Sequence, residues 1–211
     1  MRASTGVFEF KVLLLLLGIY CLCCSSLTLP TVKDTTLESS SRLGSYEFLL
    51  VGRHAGYPKK RFVIQFQDIP QSCGTVLNAT MVLTYSHSHQ VRPPPFVAPG
   101  TRVLCAHQIL RYWDEQTIGH TTYMSYGSDY NSNCLDMATL LPWPGKGTLV
   151  RMDVTQAAKN WANGAQNYGI LVRVINEDVV RRDRRFYSRE AASANRPYLE
   201  VACAPSKPVT K

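Results

Sequence analysis

Apolar and polar positions alternate with a period of two through most of this chain, in short runs broken by Gly, Pro, Asn and Ser. Such alternation predicts strands with one buried face. Tyr46 to Val51, Arg61 to Phe66, Val76 to Tyr85, Thr101 to Leu110, Leu149 to Val154, Tyr168 to Val174 and Pro197 to Ala202 fit it, each with β-branched or aromatic residues between turn signals. The period changes once, within RMDVTQAAKNWANGAQNYGILVRV from Arg151 to Val174. There the sequence predicts a short helix over Gln156 to Ala162, with Thr155 capping its first turn and Asn163-Gly164 ending it. Ala157, Ala158 and Trp161 share one face of that helix, so Trp161 is expected to plug the end of the core. Short strands and one helix predict an all-β fold, an antiparallel β-sandwich or jelly roll. The proline-rich stretch His87 to Gly100 and the Gly/Ser/Asn-rich stretch Gly119 to Gly147 are predicted connections, and the Ser/Thr-rich stretch Thr28 to Leu43 a mobile lead-in.

The N-terminus sets the compartment. Arg2 and Lys11 precede the apolar run Val12 to Cys24 and the small pair Ser25-Ser26, the pattern of a secretory leader cleaved near Ser25 or Ser26. The run is short for a bilayer span, and later apolar stretches are broken by charges, so the mature chain is expected to be secreted with no membrane span. The expected division is residues 1–26 as leader, 27–44 as lead-in, 45–204 as one domain and 205–211 as a tail. Cys73, Cys105, Cys134 and Cys203 remain after the leader. In an oxidising compartment they suggest two disulfides, with three pairings open; Cys105 with Cys134 and Cys73 with Cys203 is the preferred one. Zinc is the rival reading, but no pair has the Cys-x-x-Cys spacing. Asn78-Ala79-Thr80 is a glycosylation sequon, which requires Asn78 to point outward, opposite to buried Leu77 and Ala79.

The order of several motifs resembles a known family. Arg61-Phe62-Val63-Ile64-Gln65-Phe66, Val76 to Tyr85, Trp113-Asp114-Glu115-Gln116-Thr117, Met152-Asp153-Val154-Thr155, Trp161, Asn167-Tyr168-Gly169, Phe186-Tyr187-Ser188-Arg189-Glu190 and Arg196-Pro197-Tyr198-Leu199 follow one another as in disaggregatase-related DNRLRE domains. The resemblance covers about Tyr46 to Val201. It implies a β-sandwich of secreted or surface proteins that serves adhesion or carbohydrate binding, and it does not imply catalysis. Where such domains commonly carry a second tryptophan segment, this chain runs Ile118-Gly119-His120-Thr121-Thr122-Tyr123. The Asp-Val-Thr, Trp and Asn-x-Gly elements are also distantly similar to TGF-β-type propeptides.

Candidate chemistry is sparse. No nucleophile elbow, His-Glu-x-x-His helix or phosphate loop is present. Asp114, Glu115, Asp153 and Glu190 are the carboxylates that glycoside hydrolysis would draw on, but Asp153 suits helix capping and Glu190 beside Arg189 suits an ion pair. No catalytic residue is assigned. His87-Ser88-His89 places two imidazoles on one strand face without a third ligand, and Asp129, Asn131, Asn133 and Asp136 offer an irregular calcium site that is not favoured, because Cys134 and Leu140 replace the glycine and glutamate of a calcium loop. No metal or cofactor is expected.

Charge adds the remaining signal. Without the leader's two basic and one acidic residues, 21 basic and 14 acidic residues leave a balance of +7, which favours anionic partners. Arg181, Arg182, Arg184 and Arg185 are four guanidinium groups in five residues, and Lys59-Lys60-Arg61 forms a second run. With Tyr187 for stacking, the arginines are the expected ligand site for acidic polysaccharide or extracellular matrix, on a solvated loop that contributes little to the core. Nucleic acid belongs to another compartment. Arg182-Asp183-Arg184-Arg185 also fits a secretory convertase motif, although cleavage there would remove the last family motifs. The expected function is a secreted, non-catalytic binding module for carbohydrate or anionic matrix polymers. A structural constituent of an extracellular, mineralised or cuticular matrix and a polysaccharide-active enzyme are the alternatives.

Overall fold

A computed structural model describes residues 25–38, 44–54, 58–88, 100–118, 128–180 and 182–204. Residues 1–24, most of the expected leader, His89, Arg181 and the tail 205–211 lie outside the described residues, whereas Ser25 and Ser26 of that leader are described. Ten strands are described: β1 (Ser25–Leu37), β2 (Phe48–Arg53), β3 (Lys59–Phe66), β4 (Thr75–Ser88), β5 (Arg102–Gln108), β6 (Asp136–Leu140), β7 (Leu149–Asp153), β8 (Ile170–Val174), β9 (Arg184–Tyr187) and β10 (Tyr198–Ala204). Among the described residues one α-helix, α1 (Thr155–Ala162), lies between β7 and β8.

All pairings are antiparallel. The order β1-β10-β4-β9-β2-β3 returns to β1 through a β1–β3 pairing, so the sheet closes into a barrel. Closure depends on β1 changing partner along its length. Ser25 to Pro30 pair with β10, a register shift falls between Thr31 and Lys33, and Lys33 to Leu37 pair with β3. A shift of this kind bends a strand, which lets one chain segment turn a barrel corner. Beyond the ring, β8, β5 and β6 extend from β3, and β7 lies along β4. Phe62, Ile64, Met81, Leu83, Leu104, Val172, Phe186 and Leu199 fill the main core, and the Ala157, Ala158 and Trp161 face of α1 packs into it as expected. A second cluster of Leu37, Val63, Ile109, Trp113, Ile118, Tyr130 and Leu171 covers the other face of β3 and β8.

Three segments differ from the sequence expectation. The predicted lead-in Thr28 to Leu43 is largely β1, whose threonines are β-branched strand formers and whose Asp34, Thr35 and Thr36 are buried. The connection Gly119 to Gly147 contains β6, and the supposed arginine loop runs into β9, which begins at Arg184. Details at α1 differ as well. The Thr155 hydroxyl accepts the Ala79 N–H at 2.9 Å and so docks the helix on β4, while the Asp153 carboxylate accepts the Thr155 N–H at 2.8 Å. Asn167-Tyr168-Gly169 is a packed turn. Gly169 has φ of +88°, and a Cβ there would collide with the Ile64 carbonyl, so only glycine fits. The Asn167 side-chain amide donates to the Phe66 carbonyl and to Asp68, both at 3.0 Å.

Candidate functional site

The arginine run is part of the core. β9 lies between β2 and β4, and Arg184 is fully buried, donating to Ser88 Oγ at 2.6 Å and to the Gly100 carbonyl at 2.7 Å. Asp183, also buried, accepts from Lys60 Nζ at 2.8 Å, with Glu38 3.5 Å from the same ammonium. Arg182 is buried, and half-buried Arg185 donates to the Tyr46 hydroxyl at 3.2 Å. Tyr187 is buried with its ring 5.6 Å from Phe48. A solvated platform of Arg182, Arg184, Arg185 and Tyr187 is therefore corrected: Arg184, Arg185 and Tyr187 belong to the paired strand β9, Arg182 is buried against Trp143, and Arg181 lies outside the described residues. The same burial closes the convertase motif to a protease.

The carboxylates considered for hydrolysis are engaged structurally. Arg189 donates to both Glu115 oxygens, at 3.1 and 2.7 Å, and lies 3.1 Å from Glu190. Glu115 also accepts the Asp34 N–H, and Asp34 accepts the Arg189 N–H, both at 2.8 Å. This clasp ties β1 to the turn after β5 and to the segment after β9. Burial pushes the Asp34 carboxyl up to about 7, against the pull of the Arg189 N–H. Asp114 accepts from the Thr117 hydroxyl and from the Gln116 and Thr117 N–H groups, and the hydroxyl bond is the largest cause of its lowered pKa. Lys33 donates to the Trp113 carbonyl at 2.7 Å, and Trp113 Nε1 donates to the Tyr168 carbonyl at 2.7 Å.

The proposed metal ligands diverge. Asp129 is buried and paired with Arg111 at 3.0 Å, Asn131 Oδ1 accepts the Asn133 N–H, and the two Asp136 oxygens accept the Met137 and Asp153 N–H groups. His87 contacts Ser86 Oγ at 2.8 Å, and its partner His89 lies outside the described residues. Among the described residues, the group within metal-binding reach is Cys105, His107 and Cys134, whose ligand atoms lie within 4.8 Å of one another. Cys105 and Cys134 are joined, as are Cys73 and Cys203, in the preferred pairing. Joined sulfurs carry no thiolate for a zinc ion. Asn78 is exposed and Ala79 buried, but Leu77 is half exposed, contrary to the alternation, where β10 has a register shift between Ala202 and Cys203.

An open groove lies elsewhere. Among the described residues β6 pairs with β5 alone and β7 with β4 alone, so each turns an unpaired edge toward the other. The edges are tied at one end by the Asp153 N–H donated to Asp136. Between them is a groove of about 560 Å³ lined by Thr139, Leu141, Trp143, Thr148, Leu149 and Arg151, among others. Trp143 is 65% exposed, and the Arg182 guanidinium stands 5.8 Å from its ring centre. Arg151 donates to Glu200 at 2.7 Å on the adjoining surface, in an exposed pair. Sequence reasoning missed these residues. The signal was Pro142-Trp143-Pro144-Gly145, because a tryptophan between two prolines has no continuous strand to bury it. Neither a known family model nor a curated protein matches this chain.

Proposed function

We propose that this chain is a secreted, non-catalytic carbohydrate-binding module and that its ligand site is the groove between β6 and β7. The observation that carries the reading is the exposed Trp143 ring beside the groove, with guanidinium groups at hand. A solvent-facing indole offers an apolar face to a sugar ring, while Arg151, Thr139, Thr148 and the unpaired strand edges offer partners for hydroxyl and acidic groups. Arg151, half exposed beside the groove, favours polysaccharides that carry carboxylate or sulfate, which would compete with Glu200 for its guanidinium, while buried Arg182 backs the Trp143 ring. Two disulfides suit an oxidising compartment, which supports secretion. Exposure of Asn78 supports glycosylation at the sequon. Within the closed sheet we read β1-β10-β4-β7 and β1-β3-β8-β5-β6 as the two faces of a jelly roll, the architecture that the motif order of DNRLRE domains also suggests.

The test is retention on immobilised acidic and neutral polysaccharides. Trp143→Ala is expected to weaken retention on the preferred polymer by roughly tenfold, about 1.4 kcal/mol, with an unchanged melting temperature. Retention on an acidic polymer should fall as salt rises, because exposed charges are screened over about 8 Å at physiological ionic strength. Full retention by a folded Trp143→Ala variant overturns the groove as the site. Failure to bind any polysaccharide, with firm retention in an extracellular matrix extract, would favour the structural-constituent alternative.

A further inference from the structure

The two disulfides occupy different chemical surroundings. Cys73 and Cys203 lie inside the main apolar cluster, 3% and 0% exposed. Cys105 and Cys134 face polar acceptors instead. The His107 Nδ1 lies 2.9 Å from the Asn131 carbonyl, which can only accept, so Nδ1 carries the hydrogen and Nε2 the lone pair. That lone pair faces Cys105 Sγ at 2.9 Å and also accepts from Arg173 Nε at 3.1 Å. On the other side, Cys134 Sγ lies 3.1 Å from the Asp136 carbonyl. A disulfide sulfur has no proton to give either acceptor. A thiol has one. The surroundings therefore provide a hydrogen-bond acceptor for each sulfur in its reduced form, Cys105 sharing the one His107 lone pair with Arg173.

We propose that Cys105–Cys134 is a site of thiol–disulfide exchange with small extracellular thiols, with His107 and the Asp136 carbonyl holding the reduced pair. Cys134 is half-buried and Cys105 is 1% exposed, so an incoming thiolate reaches Cys134 first. Its sulfur bonds to Cys134 Sγ as the Cys105–Cys134 bond breaks. The electron pair goes to Cys105 Sγ, which takes a proton from solvent and donates it to His107 Nε2. A second thiolate attacks the small-molecule sulfur of the mixed disulfide and releases Cys134, which takes a proton and donates to the Asp136 carbonyl. Two small thiols are oxidised to their disulfide, and the protein disulfide is reduced by two electrons. Burial lowers the His107 pKa, which keeps the ring neutral and its Nε2 able to accept.

The test is exposure of the intact protein to graded reduced glutathione, quenching with an alkylating agent, and peptide mass spectrometry of the four cysteines. Cys105 and Cys134 are expected to become alkylated at a glutathione concentration about tenfold below that needed for Cys73 and Cys203, with the glutathione adduct found on Cys134. His107→Ala should raise the requirement for Cys105 and Cys134 toward that of the other pair. His107→Gln, which also offers an acceptor oxygen, should restore part of the difference if the alanine variant folds poorly. Opening of Cys73–Cys203 first or at the same concentration, or an adduct on Cys105 alone, overturns the proposal. None of these readouts depends on polysaccharide binding.

Discussion

Replacing Asp34 with asparagine is expected to stabilise this protein at alkaline pH and to change little at acid pH. The side chain is 1% exposed, and burial is the largest cause of its raised pKa. Glu115 and Glu190 push the pKa in the same direction, while the Arg189 N–H bond and the Arg189 charge oppose them. An unfolded aspartate loses its proton near its ordinary value of 3.8, whereas this one keeps it to about 7 in the folded chain. Between those values the folded state holds a proton that the unfolded state has released. Stability therefore falls as pH rises through that window, and the loss is complete above the folded pKa. At 1.36 kcal/mol for each tenfold, the gap sets an upper bound of about 4 kcal/mol. Asparagine does not titrate, and its Oδ1 can still accept the Arg189 N–H. Urea denaturation of both proteins near pH 4.5 and pH 8.5 reads the difference directly. The variant should gain roughly 2–4 kcal/mol over the parent at the higher pH and little at the lower. A variant that is less stable than the parent at pH 8.5 refutes the reasoning, because the clasp would then depend on a charged Asp34.

Two further predictions come from burial and exposure. Arg184→Ser should destabilise the protein by roughly 2–4 kcal/mol, since it leaves a cavity in the core and removes the donor to the Gly100 carbonyl, while Ser88 keeps its bond to the Tyr85 hydroxyl; an unchanged thermal midpoint would show that the site is solvated after all. Asn78→Gln should abolish the mass lost on glycosidase treatment of protein secreted from eukaryotic cells, and a parent protein that loses no mass would mean the sequon is unused.

Strands with one wet face were legible because their alternation reports directly on burial. β7, β8 and most of β3 to β5 fall where the period of two predicts them, and α1 where the period changes. β1 and β9 were hidden for the same physical reason. Each buries polar or charged side chains whose partners come from distant segments: Asp34 accepts from the Arg189 N–H, and Arg184 donates to Ser88 and Gly100. A linear pattern scores such residues as exposed, since the hydrogen bonds that make their burial tolerable are long-range. The arginine run misled for this reason, and its density drew attention from Trp143. That residue sits in a connection where no periodicity exists to mark it. The cysteine pairing agreed with the preferred reading, but spacing carried no information about the acceptors that surround Cys105 and Cys134.

The ring closure has a consequence for how the chain is made. β1 is the earliest described strand and β10 the last, and they pair with each other along six positions. A ribosome releases the chain from its N-terminus at about 5–20 residues per second, so β1 emerges long before its partner exists. Until Tyr198 to Ala204 arrive, Ser25 to Pro30 have no ladder, and the β4 edge that β10 covers stays bare. Folding of the barrel is thus set by the last segment to be synthesised, and its dominant contacts are among the most distant in sequence, which slows closure. The nascent chain spends that interval with strand edges open to other chains, so holding it soluble until β10 arrives falls to the cell's chaperones.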